Sequence, residues 1–487
     1  MAYTTINDPS AHFQTKLFTG DGNDNRAITN DGNSNLRPDW IWFKNRATTN
    51  SHNVLDSVRG VTKKLEGINN NNAEGTTSTR LTSFDTDGFT VRTDPSVNGN
   101  GNGIVAWQWA AGGATPTKTY RVVVVSDSGN KYRFRNSTNT ATFAQSAVTL
   151  ELQSGGTYTF DQSDSTVASH PMKFSTTSDG THGGGSSYNT GVTYKLDGST
   201  VTESAYVSGF ASATTRQIIL NVQNTTTLYY YCHNHSGMGG QADQNATFGQ
   251  TNFDGSILSR SSENTTSGFS MVLHTGTGSA GTIGHGLGGV PNWIVTKRRS
   301  DTDDWAVYQT YVGNEYYLEW NSTNARQTAS SVWGDTTPTS LSFTVGGANG
   351  KNNASSATYI SYIFKSVKGF SKIGQYTGNG SQDGTFVYTG FKPAWIMAKR
   401  WDASKNWYVA DSARSPVNVN KAFLVPNTSD AENTGGNATD SYFDILSNGF
   451  KMRQDFSHLN ASGAAHMYMA FAEHPFVAAN TVIATAR

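Results

Sequence analysis

A single cysteine, Cys232, stands in a chain of 487 residues, which excludes an intrachain disulfide framework. Charge is scarce as well. Only 15% of residues are charged, 36 basic against 36 acidic, so no net field draws the chain to a polyanion and nucleic-acid binding is not expected. No run of 18 apolar residues occurs, and no transmembrane segment is expected. The opening residues, MAYTTINDPS, lack the basic and apolar regions of an export signal, so Sec export is not expected. Long helical periodicity is nearly missing too. What is abundant is aromatic and glycine: 24 Phe, 21 Tyr, 11 Trp and 50 Gly, a composition unlike that of disordered chains. At roughly 100–200 residues per domain, the length predicts three or four domains.

Apolar runs are short, often alternating, and separated by turn clusters such as GDGNDN near 20, VNGNGNG at 97–103, GTHGGG at 180–185 and ENTGGNA at 432–438. This pattern predicts an all-β chain of antiparallel β-sandwiches, with at most brief helical turns such as one over 51–57.

The chain also repeats itself. Pro38-Asp39-Trp40-Ile41 with Lys44 recurs as Pro291-Asn292-Trp293-Ile294 with Lys297, and again as Pro393-Ala394-Trp395-Ile396 with Lys399. A Thr-Gly-x-Gly turn precedes each copy, at 19–22, 275–278 and 377–380. Asp56-Ser57-Val58-Arg59 reappears as Asp411-Ser412-Ala413-Arg414, and the second copy lacks it. Asp87-Gly88 and Asn448-Gly449 read as tight turns feeding a strand. Each copy closes on an alternating aromatic strand, at 104–109, 359–364 and 467–471. The expected domains are therefore repeat units at 1–114, 251–372 and 373–487, with a non-repeating unit at 117–244 between composition-marked linkers.

The Pro-x-Trp-Ile runs read first as core and loop architecture. An exposed Trp such as Trp401 or Trp407 is the alternative, as a platform for carbohydrate. The lysines and arginines near each Trp strand are expected to solvate a sheet edge or to reach Asp56 and Asp411. The Asp-Ser-x-Arg element reads as an ordinary ion-paired loop before it reads as a functional contact.

The distinctive chemistry lies in Tyr229-Tyr230-Tyr231-Cys232-His233-Asn234-His235-Ser236-Gly237-Met238. Cys232, His235 and Met238 follow one another at intervals of three just after an aromatic strand, and His170 precedes the strand at 172–174. Thiolate, two imidazoles and a thioether are the donor set of a copper site: the soft sulfur retains Cu(I), imidazole suits Cu(II), and a long axial thioether tunes the potential. Two other readings stay open. Cys232 is a small buried hydrophobe beside a His–Met core patch, or the site takes another metal such as zinc. His182 is a candidate cover or competing ligand, and His233 is expected to point away. No hydrolase triad, phosphate loop or paired-carboxylate motif stands out, so no enzyme activity is expected.

On these residues 117–244 resembles a cupredoxin, the type 1 blue-copper sandwich. The resemblance implies His170 and His235 as imidazole ligands, Cys232 as the equatorial thiolate and Met238 as the weak axial ligand. The separation of 62 positions between His170 and Cys232 is long for that pattern. The repeats resemble domains of structural proteins of tailed, especially marine, bacteriophages, through the runs at 38–46 and 55–60. That resemblance implies a non-enzymatic virion protein, a tail or tail-fibre component for host attachment, assembled in the host cytoplasm. It also implies a homo-oligomer (a trimer by analogy), other virion proteins as partners, and a host glycan or receptor. Capsid decoration and a secreted or surface copper electron-transfer protein are the alternatives.

Overall fold

The computed structural model describes residues 4–138, 143–433 and 442–477. Within them the chain is all-β, with mostly antiparallel sheets and only a few one- or two-turn helices; 117–121 with 157–161 and 150–153 with 242–245 pair in parallel instead of the expected antiparallel way. No helix is long and apolar enough to cross a membrane. Residues 434–438 of the turn cluster at 432–438 lie outside the described residues.

The chain divides into two compact units. Unit 1 comprises Met1–Ala111, Glu263–Ala280 and Leu287–Arg487; unit 2 comprises Gly112–Ser262 and Gly281–Gly286. Apart from residues 112–114, 251–262 and 281–286, all three repeats fall in unit 1, where separate sandwiches were expected, and the reason is a shared core. In the first repeat the strands run in the order Phe13–Thr19, Gly103–Trp109, Trp40–Asn45, Asn53–Asp56, Lys63–Glu66, Gly75–Thr76. The second repeats this order from Phe269–Thr275 and Thr358–Phe364 to Trp293–Arg298 and Ala306–Gln309, and the third from Ser371–Thr377 and Ala465–Pro475 to Phe391–Arg400 and Trp407–Asp411. Both faces of the Trp strand are apolar in the first and third repeats. Trp40, Trp42, Trp293, Val295, Trp395 and Met397 all enter one common core. Ile41 and Phe43 face a private core with Phe89 and Val91, and Ile396 and Ala398 another with Phe450 and Met452. A strand buried on both sides reads as a continuous apolar run, so its second packing face is invisible in the pattern.

The helical turn expected over 51–57 is instead the strand Asn53–Asp56, because these residues pair in register with Trp40–Phe43. The Thr-Gly-x-Gly turns hold as expected. Gly22, Gly278 and Gly380 adopt φ of 72°, 73° and 64°, and their N–H groups donate to the carbonyls of Asn98, Asn353 and Asn460.

The repeats also grip one another in a closed cycle. Lys44 donates to Ser429 O of the third repeat, Lys297 to Asn71 O of the first, and Lys399 to Thr323 O of the second, each at 3.1 Å. These ammonium groups are buried, not solvating an edge as expected, and burial pushes them down to about 8, 8 and 7. Backbone bonds of 2.9 Å follow the same cycle: Glu432 N to Arg46 O, Glu74 N to Arg299 O, and Arg326 N to Trp401 O. At two junctions an ion pair seals the contact, Arg46–Glu432 at 2.6 Å and Arg299–Glu74 at 2.8 Å. At the third, the Arg326 guanidinium lies 4.4 Å over the Trp401 ring.

Two buried histidines give unit 1 an acid-sensitive step. His274 stacks on Tyr359 and His466 on Tyr376, at 5.0 and 4.8 Å, and burial pushes each down to about 4. Between pH 6.5 and 4 the unfolded chain holds protons that the folded chain refuses, so stability falls as pH falls through that window. All eleven tryptophans lie in unit 1, so tryptophan fluorescence reads its unfolding. We expect its midpoint to drop from pH 7 to pH 4, and the drop to flatten in the H274F/H466F variant. An equal drop in that variant contradicts the assignment.

Unit 2 is a β-sandwich. Its six-stranded sheet runs Asn130–Arg135, Thr117–Ser126, Thr157–Asp161, Arg216–Asn221, Val192–Leu196, Ser199–Val201. Its four-stranded sheet runs Leu150–Gln153, Gly240–Asn245, Leu228–Cys232, Met172–Ser175. The stretch from Gln241, expected as a linker, begins as the strand Gly240–Asn245, paired on both sides. Residues 251–262, expected in the second repeat, belong here: Tyr120 donates to Thr251 O, and Phe253 enters the core against Tyr120 and Phe134.

Candidate metal centre

The site forms at one end of the four-stranded sheet of unit 2. Met172 pairs with Cys232 at the edge of two antiparallel strands, so the segment before Met172 and the loop after Cys232 leave the sheet side by side. A one-turn helix, Ser165–Val167, capped by Asp164, delivers His170, whose N–H donates to Val167 O. The return loop is tightly drawn. Gly237 has φ of 69°, and a Cβ on Gly239 would meet the Tyr230 carbonyl oxygen at 1.7 Å. Asp179 accepts from Gly237 N through both carboxylate oxygens, at 2.9 and 3.0 Å.

Three donors converge. Cys232 Sγ lies 3.8 Å from His170 Nδ1 and 3.7 Å from His235 Nδ1, and the two rings are 4.7 Å apart. Among the described residues, this is the one group of three or more His, Cys, Asp or Glu side chains placed to share an ion, with all donor atoms within 4.8 Å. Cys232 and His170 are buried and His235 is exposed. Met238 is buried in the same core cluster as Cys232.

The spacing tests what fits. With metal–sulfur bonds of about 2.3 Å and metal–nitrogen bonds of about 2.0–2.1 Å, a regular tetrahedron sets sulfur and nitrogen about 3.5–3.6 Å apart, and a trigonal plane about 3.7–3.8 Å. Separations of 3.7 and 3.8 Å lie within about 0.3 Å of both arrangements, so the three donors fit one copper ion or one zinc ion.

Burial raises the Cys232 thiol, while the N–H groups of Asn234 and His235 favour its thiolate. Burial, with the neighbouring His235, holds His170 below the ordinary imidazole value. Tyr132 ties the two halves of the site together: its hydroxyl donates to His170 O at 2.8 Å and its N–H to Met238 O at 3.0 Å. In sequence, Tyr132 and Asp179 look like ordinary strand and turn residues. His182 is not a competing ligand here, since its Nε2 is bonded to the Cys232 carbonyl at 3.1 Å. His233 lies outside the donor group, with its N–H given to Pro171 O.

The tryptophans singled out for carbohydrate are elsewhere. Trp407 is fully buried and donates to Glu319 O at 3.0 Å, so it closes a junction of the repeats and offers no open face. Trp401 is half-buried under Arg326. The Asp-Ser-x-Arg elements are also structural: Asp56–Arg59 and Asp411–Arg414 are ion pairs without solvent exposure.

A family model described as a domain of unknown function (DUF7483) matches residues 8–152 and 241–475. The match spans all three repeats and stops on either side of the stretch that carries His170, Cys232, His235 and Met238. No curated protein and no solved structure matches the chain.

Proposed function

The chain belongs to the DUF7483 family, and with its candidate ligands on a stretch outside that match we propose that it is a non-enzymatic structural protein holding one copper ion in unit 2. The observation that carries this reading is the convergence of His170, Cys232 and His235, with Cys232 Sγ 3.8 and 3.7 Å from the two imidazole nitrogens. A copper ion held there supplies one-electron redox chemistry and a cross-link between two loops of the sandwich. His170, Cys232 and His235 would hold the ion, the buried Met238 would offer a further sulfur donor, and Tyr132 keeps the two loops in register.

The setting we propose is the particle of a tailed phage, as a tail or tail-fibre component in host attachment. The resemblance of residues 38–46 and 55–60 supports it, as does the cycle of three fused repeats, which spends its charged groups on mutual grip. The exposed His235 favours a second reading, a surface copper protein that exchanges electrons through that ring. Titration of the full chain with Cu(II), read as a visible thiolate charge-transfer band, tests the metal part. Immunogold labelling of purified particles tests the setting, and label confined to the host envelope would favour the second reading.

A further inference from the structure

One of the three junctions of unit 1 lacks the carboxylate that closes the other two. The backbone bonds of the cycle set the correspondence: Glu432 meets Arg46, Glu74 meets Arg299, and Arg326 meets Trp401. At the first two, one carboxylate serves two guanidinium groups, Glu432 those of Arg46 and Arg414, and Glu74 those of Arg299 and Arg59. Asp411 and Asp56 pair with the inner arginines, so those four charges cancel at each junction. At the third, an arginine stands where the others have the glutamate, and a tryptophan where they have the arginine. The inner acid is missing too, replaced by Gln309. Among the described residues, no carboxylate answers the Arg326 charge.

The guanidinium is nevertheless held in place. Its central carbon lies 4.1 Å from the centre of the Tyr316 ring and 4.4 Å from that of Trp401. Arginine stacks on aromatic rings while its N–H fork stays free for a planar anion. The Arg326 side chain is half-buried, its nitrogens are not enclosed, and among the described residues they have no acceptor.

The field around it has the same sign. Lys399, Arg400 and Lys405 flank Trp401 in the chain, and Asp402 among them is already taken by Arg400 at 2.5 Å and by the Ala465 N–H. Burial, and then Lys405, Lys399 and Arg400, hold His458 down to about 4. The Glu319 carboxylate is likewise occupied, by Lys351 and Asn324.

We propose that the third junction binds the carboxylate of an acidic sugar, a uronic acid of a polysaccharide, through the open edge of Arg326. The ligand supplies what Glu74 and Glu432 supply elsewhere in the cycle, and a carboxylate is the two-oxygen group that an arginine fork takes bidentately. The choice of a polysaccharide rests on the attachment part of the proposed function. The two fail separately: label on the particle without sugar binding sinks this site alone, and sugar binding with label off the particle sinks the setting alone.

The test is saturation-transfer NMR on the full chain with methyl β-glucuronide, with methyl β-glucoside as the neutral control. Transfer is expected to the glucuronide and not to the glucoside, falling as salt is added and weakened about tenfold in R326Q. The R326E/W401R variant rebuilds inside the chain the ion pair of the other junctions. It should keep the tryptophan transition of unit 1 and lose the transfer. No transfer to the glucuronide, equal transfer to the glucoside, or transfer undiminished in R326Q overturns the proposal. Displacement of the glucuronide by inorganic phosphate at lower concentration than by free glucuronate overturns the choice of a carboxylate.

Discussion

Asp411→Ala is expected to destabilise unit 1 by about 3–5 kcal/mol, the cost of breaking a fully buried charge pair from one side. The Asp411 carboxylate accepts from Arg414 N at 2.8 Å, from Arg414 Nε at 2.5 Å and from the Trp107 indole of the first repeat at 2.9 Å. Removing it leaves the Trp107 indole N–H buried without its partner and the Arg414 guanidinium held only by Glu432 at 2.8 Å and Val409 O at 3.1 Å. The double replacement D411M/R414M removes both charges and should recover much of the loss. Denaturant unfolding followed by tryptophan fluorescence measures both variants. A loss below about 1 kcal/mol for D411A contradicts the claim that this pair holds a junction.

The same logic explains why the second repeat does without the element. Its counterpart of Asp56 and Asp411 is Gln309, opposite Trp293 as Asp56 is opposite Trp40. In the first and second repeats, Trp107 and Tyr362 donate to Asp411 and Asp56 of the neighbouring repeat. The third repeat has Met469 at the matching register, opposite Met397 as Trp107 is opposite Trp42. Methionine has no proton to donate, so that junction requires no acid.

Cys232→Ser is the second change with a large effect. The visible band expected on adding Cu(II) arises from the thiolate, so it should vanish entirely in C232S. H170A removes the buried imidazole and should weaken uptake strongly, while M238L should keep the band and alter its position if the thioether is a weak donor, as proposed. Unit 1 carries none of these residues, and its tryptophan transition should be unchanged in all three variants. A band that survives in C232S contradicts the assignment of the sulfur donor.

Much of this was legible in the residues, and what was hidden has physical causes. The all-β class followed from short alternating runs between turns, and the threefold repeat from the recurring Pro-x-Trp-Ile and Thr-Gly-x-Gly landmarks. Cys232, His235 and Met238 stand out because their spacing follows one strand, and His170 because it enters the neighbouring one. The shared core was not legible, because Trp40 and Ile41 are both apolar and nothing in their order says that they face different partners. Nor was Lys399 as a junction group, since a lysine beside a strand end usually points to water. Trp407 misled for the same reason: its indole N–H reaches a carbonyl of another repeat, and that contact has no local signature.

X-ray absorption at the copper edge of the loaded full-length chain tests the central claim most directly. The account predicts one sulfur at about 2.2–2.3 Å and two nitrogens at about 2.0–2.1 Å, with the sulfur shell lost in C232S. A first shell of nitrogen and oxygen alone in the parent protein would contradict it.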